Sequence, residues 1–314
     1  MSPAVPGDIE LLGYLLRCDP MDAGLARYDL GIEPNQLKRA IVRLTGLGCE
    51  IEEVAPHRYR LSRTPIELWS DYLESLISKH NLSPTQFRVF RSTNSTQTQA
   101  KVYAPSRTLV LADQQNAGKG RLGRTWVSKP GSSVLMSLCL PSEPKNPTHD
   151  RLSMLTGIAA AMAVERLLPD RSIRLKWPND VMIDARKVAG IIIEKTANAF
   201  VIGIGINVLP DACRDPAIAQ RATCLADHGC RSDRLYVVEQ VFIELDRVLR
   251  LSDQALMLDE WRARASLGHI QSFEQAGQRI TGEVLDLDPD HGLIVRRDTG
   301  EIVTLPAATT SVVA

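Results

Sequence analysis

Aromatic side chains are scarce in this sequence, at 5% of 314 residues, and neither sign of charge is in surplus: Lys plus Arg number 37, as do Asp plus Glu. That balance excludes a globally basic nucleic-acid binder, so any DNA-contacting surface has to be local. The six cysteines (Cys18, Cys49, Cys139, Cys213, Cys224, Cys230) include no CxxC pair and no disulfide framework, the usage of reduced cytosolic thiols. Cys224, His228 and Cys230 lack a fourth metal ligand, and their stretch reads better as a helix running into a turn. No apolar run reaches membrane-spanning length, and the opening MSPAVPGDIE has neither the basic nor the apolar region of a signal peptide. No internal repeat or low-complexity tract appears. These absences predict a cytoplasmic protein with no membrane contact, and the length predicts two or three domains.

What is present starts with helical spacing. Ile9, Leu12, Leu15 and Leu16 recur before a break at Asp19-Pro20. A second helix fits Asp22 to Tyr28, with Gly31 in the turn after it. Pro34 stands where a first helical residue belongs, and Leu37, Ile41 and Leu44 form the apolar stripe of a third helix, ended by Gly46 and Gly48. Cys49 to Val54 and Arg58 to Leu61 read as strands joined at Ala55-Pro56-His57. Helix, helix, turn, helix and hairpin is the order of a winged helix-turn-helix, here over residues 1–64. Lys38, Arg39 and Arg43 on its third helix and Arg58 on its wing are the cations expected to meet DNA. Eight Lys/Arg stand against nine Asp/Glu from residue 1 to 63, whereas DNA-binding modules draw most of their affinity from excess cations. A protein-docking or dimer element is the competing reading.

Thr64-Pro65 reads as the start of a linker into a second unit, residues 65–269. A helix is expected from Ile66 to Ser78. Strands are expected at Phe87–Phe90, Thr108–Ala112, Ser133–Leu140, Ser172–Lys176, Lys187–Glu194 and Phe200–Val208, several apolar enough to be covered on both faces. Helices over Arg151–Leu168, Arg231–Leu251 and Gln254–Ala265 complete an α+β layer, a mixed sheet with helices on one side.

Within this unit the stretch Gly118 to Trp126, GKGRLGRTW, alternates glycine with Lys119, Arg121 and Arg124 and ends on an indole. Glycine lets backbone approach a ligand and arginine grips phosphate or carboxylate through paired hydrogen bonds, so the segment suits a polyanion and is expected to be mobile without one. Its glycines match the dinucleotide fingerprint as a string, but a strand rather than a helix follows; a phosphate-binding P-loop fails because Gly120 follows Lys119. Lys176-Trp177-Pro178-Asn179-Asp180 packs a cation, an indole, a rigid turn, an amide and a carboxylate at a strand end. Lys187 sits across a hairpin from Asp180, a pairing worth under about 1 kcal/mol if only a surface salt bridge. Glycines inside Gly203-Ile204-Gly205-Ile206-Asn207 mark a kinked strand or a place where a ligand presses on backbone.

Taken together, Ser92-Thr93-Asn94, GKGRLGRTW, KWPND, KVAGI and GIGIN occur in the order found in biotin–protein ligases, and the chain resembles that family along its whole length. The N-terminal helices make it look like the bifunctional type, ligase and biotin operon repressor in one chain. The resemblance implies joining of biotin to ATP as biotinyl-5′-adenylate, with Mg²⁺, then transfer to a lysine of the biotin carboxyl carrier domain of acetyl-CoA carboxylase. It implies operator DNA as a second partner and a homodimer when the adenylate is bound. Ser92, Thr93, Asn94 and Gln115 would face the biotin ureido ring, with Gly120 against the bicycle. Lys119, Arg121 and Lys187 would neutralise carboxylate and phosphate. Arg124 would serve the adenylate, Trp126 would stack on adenine, and Asn179 and Asn207 would contact the adenylate or its metal. Asp180 would orient the metal or the incoming lysine. Three positions depart from the pattern: Lys119 replaces the usual arginine, the wing tip reads Pro-His-Arg-Tyr without glycine, and the Lys195–Ala199 connection is short.

Residues 270–314 alternate in short strands (Gln278–Val284, Gly292–Val295, Glu301–Leu305) with Asp-His-Gly and Thr-Gly turns, the pattern of a small SH3-like β-barrel. A lipoate–protein ligase and a non-catalytic ligand-sensing transcription factor are the alternatives. The first would lack this arginine-glycine loop in this form, and the second has no use for Arg121, Asp180 and Lys187 together.

Overall fold

In the computed structural model, which describes residues 6–142, 147–251 and 253–313, three sheets succeed one another along the chain. The first unit runs α1 (Pro6–Arg17), β1 (Met21–Asp22), α2 (Ala23–Leu30), α3 (Pro34–Gly46), β2 (Glu50–Ala55) and β3 (Arg58–Arg63). Asp22 caps α2 by accepting from the amides of Gly24 and Leu25, which places the helix start one residue later than the sequence suggested. Glu33 and Gln36 close a reciprocal capping box on α3, with Pro34 at its first turn. The three strands pair in the order β1-β3-β2.

No loose linker follows. Thr64 is buried; its amide and hydroxyl donate to Asp233 at 2.9 and 2.7 Å, and the Trp69 indole donates back to Thr64 at 3.2 Å. The expected helix from Ile66 begins as a single 3-10 turn before α4 (Trp69–Lys79). Tyr72 on α4 donates to Glu239 at 2.5 Å, and the same carboxylate lies 3.8 Å from Arg17 of α1. Leu11, Leu12 and Leu15 share one apolar cluster with Leu73 and Leu76, so packing, not a tether, joins the first unit to the second.

The second unit holds β4 (Gln86–Thr93), α5 (Thr96–Val102), β5 (Thr108–Gln115), β6 (Ser133–Pro141), α6 (His149–Leu167), β7 (Ile173–Lys176), β8 (Asp180–Ile183), β9 (Arg186–Lys195), β10 (Ala199–Asn207), α7 (Arg234–Arg250) and α8 (Gln254–Arg264). Its seven strands lie in the order β4-β5-β6-β10-β9-β8-β7; β4 and β5 are parallel and the other neighbours antiparallel, a mixed sheet as expected. Alternation along the strands divides the faces. Leu109, Leu111, Met136, Leu138, Ile202 and Ile204 join the core formed with the long helices α6 and α7, while Val110, Cys139 and Val201 pack with Ala100 of α5 on the other face. The helices therefore do not all lie on one side: α5, unforeseen in the sequence, covers part of the opposite face and leaves a groove beside it. No described helix is long and apolar enough to cross a membrane.

The third unit is β11 (Ile270–Gln275), β12 (Gln278–Asp288), β13 (Gly292–Arg297), β14 (Ile302–Leu305) and β15 (Thr310–Val313), antiparallel in the order β14-β13-β12-β11-β15. Arg262 of α8 forks onto Asp286, Arg151 of α6 pairs with Asp290, and the Ala307 amide donates to Asp150, so this sheet is tied to both flanking helices.

Candidate functional site

The groove is floored by glycine. Gly203 and Gly205 of β10 and Gly190 of β9 pair or neighbour one another across the sheet on the face away from α6 and α7. A Cβ on Gly205 would lie 2.6 Å from the Trp126 ring, one on Gly190 2.7 Å from the Lys187 side chain, and one on Gly203 2.5 Å from Gln97. No larger residue fits at these three positions without displacing a neighbour. Together with the Gly118–Trp126 segment they leave a cavity of about 150 Å³.

One wall is neutral and hydrogen-bonded. Gln115, at the end of β5, accepts from the amide and hydroxyl of Thr96 at 2.7 and 3.0 Å. The Thr96 hydroxyl is 2.8 Å from that of Ser137, which donates to Gln97, and Gln97 donates to the Val201 carbonyl. Ser95, which opens α5, keeps a buried hydroxyl with no partner among the described residues. The expected trio sits differently: Ser92 and Asn94 are exposed, Thr93 is buried, and none of the three lines the cavity. The second Ser-Thr pair, three residues on, takes that place because α5 begins there. Reading Ser95-Thr96-Gln97 as a helix start would have found it.

The other wall is ionic. Lys187 Nζ lies 2.5 Å from Asp180 and 5.6 Å over the Trp126 ring centroid. Asp180 pairs across the strands with Gly190, and an irregularity between Val181 and Met182 brings Lys187 opposite Met182, on the same face as Asp180 two residues away, so that the lysine reaches it. Backbone fixes Lys187 on both sides, its amide donating to the Arg221 carbonyl and its carbonyl accepting from Thr223. Asn179 is a clamp: its side-chain amide donates to the Ile191 carbonyl at 2.7 Å while its oxygen accepts from Arg121 at 3.2 Å. The turn that carries it is held by buried Trp177, edge-on to Trp261 at 6.4 Å, and by Ser153 donating to the Pro178 carbonyl.

The Gly118–Trp126 segment forms a closed hairpin. Trp126 donates to the Gly118 carbonyl, Gly120 to that of Arg124, and Leu122 and Gly123 turn the tip with φ of 52° and 75°. A Cβ at Gly118 would meet the Trp126 carbonyl at 2.6 Å, so glycine is required for the closure. Arg121 latches the hairpin to the third unit by donating to the carbonyls of Ala307 and Thr310. Burial strips water from this guanidinium and brings its pKa down to about 10, partly offset by the nearby Asp180 carboxylate. It stays charged near neutral pH, a half-desolvated cation at the rim of a groove. Lys119 and Arg124 are exposed beside it.

Two expected contacts differ in placement. Trp126 lines the cavity, its ring packed over Gly205 and its indole N–H without a partner among the described residues. Asn207 is buried, donating to the Thr223 carbonyl, with its side-chain oxygen unpartnered among the described residues. In the first unit Lys38, Arg39 and Arg58 are exposed, but Arg43 forks onto buried Asp8 at 2.5–3.1 Å. Neighbours likewise engage Arg60 (Asp19 and Glu52) and Arg63 (Glu50).

Against known proteins, a model of the biotin/lipoate A/B protein ligase family matches residues 87–211. The chain is 31% identical over 243 residues to the bifunctional ligase/repressor BirA of Bacillus subtilis, covering 70% of this chain and 71% of that one. It is 30% identical over 231 residues to the protein of the same name from Salmonella typhimurium, with 72% and 71% covered. Among solved structures, a biotin protein ligase from Aquifex aeolicus in complex with biotin and ATP superposes with a TM-score of 0.65 at 27% identity, over 72% of this chain and 98% of that one.

Proposed function

The chain belongs to the biotin protein ligases of the biotin/lipoate A/B protein ligase family, and from this we propose how its groove divides the work of an ATP-dependent ligase among named residues. The enzyme activates biotin to biotinyl-5′-adenylate and passes it to a lysine of the biotin carboxyl carrier protein. In the first step a biotin carboxylate oxygen attacks the α-phosphorus of ATP and pyrophosphate leaves. In the second the carrier lysine's amine attacks the acyl carbon, AMP leaves with the bonding pair, and the amine gives up a proton to solvent.

The observation that carries the assignment is the pairing of a neutral hydroxyl–amide wall with a cationic one across a glycine floor. A ureido ring has donors and an acceptor but no charge, which suits Ser95, Thr96, Gln115 and Ser137. Two anions meet when the carboxylate approaches the phosphate, and Lys187 and Arg121 stand where their repulsion would be neutralised, with Lys119 and Arg124 at the rim. Asn179, already holding Arg121, positions that charge. A magnesium ion fits as a companion of the nucleotide. Asp180 supplies one carboxylate on the cationic wall, and Mg²⁺ is commonly held by one or two carboxylates plus substrate phosphates, where it withdraws phosphate charge. The assay is pyrophosphate release from protein, ATP and Mg²⁺ with biotin or with lipoate. Release with biotin alone is expected; release with lipoate alone would transfer the assignment to the dithiolane.

Packing of the indole on the glycine floor adds a sharper expectation. Gly205→Ala should push the Trp126 ring aside and slow adenylation about 10-fold or more, since small misplacements at reacting centres are costly. A normal rate with unshifted tryptophan fluorescence would show the ring to be incidental.

For the first unit we propose a winged helix-turn-helix, 1–64, that binds operator DNA through α3, and for the last, 270–314, an SH3-like cap on the ligase unit, 65–269; positions 1–5, 143–146, 252 and 314 lie outside the described residues. A homodimer formed on adenylate binding would give the palindromic reader such a repressor needs. With Arg43, Arg60 and Arg63 engaged by acids, the exposed Lys38, Arg39 and Arg58 carry the phosphate contact. Log K against log salt should then fall with a shallow slope of about −3 per protomer. A slope of zero in the full chain with biotin and ATP present would leave a protein-docking element instead.

A further inference from the structure

Between β10 and α7 the chain makes a long excursion, residues 208–233, that brings together groups the sequence spaces apart. Cys213 follows one 3-10 turn, Pro210–Ala212, and Asp227 lies in another, Ala226–His228, with Cys224 just before it. The two thiol sulfurs and a carboxylate oxygen of Asp227 all lie within 4.8 Å of one another. Cys213 and Cys224 are buried and Asp227 is exposed, so the cluster has a closed inner side and one wet entrance. Both arms are pinned by backbone: Cys213 donates to the Pro210 carbonyl, Leu225 to that of Asn207 and Ala226 to that of Val208.

The trio differs from Cys224, His228 and Cys230, the set visible in the sequence. His228 is turned away, with one ring nitrogen 2.8 Å from the Thr223 hydroxyl and the other 3.6 Å from Asp184, and Cys230 packs against the main core.

We propose that Cys213, Cys224 and Asp227 form a site for a soft divalent cation of the Zn²⁺ class, with water as the fourth ligand on the Asp227 side. Two thiolates and one carboxylate in a compact set are the donors that zinc and cobalt prefer, whereas magnesium prefers oxygen alone. Binding replaces two S–H bonds with two metal–sulfur bonds and releases two protons to solvent. The site also has a structural link to the groove. The segment carrying Cys224 flanks Lys187, whose amide and carbonyl bond to Arg221 and Thr223, and it accepts from Asn207 through the Thr223 carbonyl. A cation there would stiffen the strand that presents Lys187.

Titrating the reduced, chelator-treated full chain with Co²⁺ tests the site. About one equivalent should bind with a sulfur-to-cobalt charge-transfer band and the strong visible bands of a tetrahedral ion, be displaced by Zn²⁺, and be untouched by excess Mg²⁺. The band should vanish in Cys224→Ser and persist in the double variant Cys18→Ser, Cys230→Ser. Because a buried substitution can unfold the loop, Asp227→Asn on the exposed side is the companion: it should weaken Co²⁺ by about 10-fold or more while keeping the charge-transfer band. No band in the unaltered chain, a band that survives Cys224→Ser, or Co²⁺ affinity unchanged in Asp227→Asn would each overturn the proposal and leave two thiols that merely fill a small loop core.

Discussion

Replacing Lys187 with alanine should lower the rate of biotinyl-adenylate formation by about 10²–10³-fold, the range for removing one preorganised charge stabiliser, while hardly moving the melting temperature. The two readouts separate because of where the lysine sits. Its ammonium pairs with Asp180 and lies over the Trp126 ring, but the side chain is 30% exposed, so as a salt bridge it contributes at most about 1 kcal/mol. Its position above the glycine floor, bonded through its own backbone to the 221–223 segment, is not needed for that modest stabilisation. It is needed if a carboxylate and a phosphate must be brought together. Single-turnover pyrophosphate release and a thermal melt on the same preparation decide the matter; near-normal adenylation would remove Lys187 from the chemistry. Lys187→Arg should recover little, because a planar fork does not occupy the place of a compact ammonium.

Asp246→Ala should destabilise the protein by about 3–5 kcal/mol, the cost of breaking a buried ion pair by deleting one partner. Asp246 is fully buried on α7; it accepts from Arg107 at 2.8 Å and from the Ser83 amide at 3.2 Å, and pairs with Arg250 at 2.9 Å. Ser83 and Arg107 precede β4 and β5, the parallel pair at the edge of the large sheet. Without the carboxylate, Arg107 would be left largely buried beside a second cation; burial already lowers its pKa. For a cooperative unit of this size the loss corresponds to on the order of 10 °C in Tm. Adenylation per folded molecule at low temperature should be retained, since Ser83, Arg107 and Arg250, the partners of Asp246, do not line the groove. A melting temperature within a degree or two of the parent would mean that solvent replaces the carboxylate.

The placement of the site was legible wherever chemistry and local backbone coincide in a short stretch. KWPND works as a unit because a tight hairpin turn keeps its five residues together, and GIGIN is legible because glycine in a buried strand leaves a space to be filled. The expected strands of the large sheet recur with their ends moved by a few residues, since alternation marks the middle of a strand while its ends are set by pairing partners. The hydroxyl wall was displaced by one Ser-Thr pair because two such pairs sit side by side, and only the start of α5 chooses between them. Arg43 looked available because its partner Asp8 is 35 residues away in the chain.

By itself, the sequence determined the resemblance to the family and the set of charges and glycines that line the groove. These follow from motifs whose members are neighbours in the chain. Only the tertiary structure decided which of those residues meet. It closed the glycine-arginine hairpin onto Ala307 and Thr310, shifted Lys187 onto Asp180 through a register irregularity, joined the first unit to the second through Thr64 and Asp233, and gathered Cys213, Cys224 and Asp227. Each of these contacts depends on backbone paths set by the packing of distant elements, and distance along the chain carries no information about them.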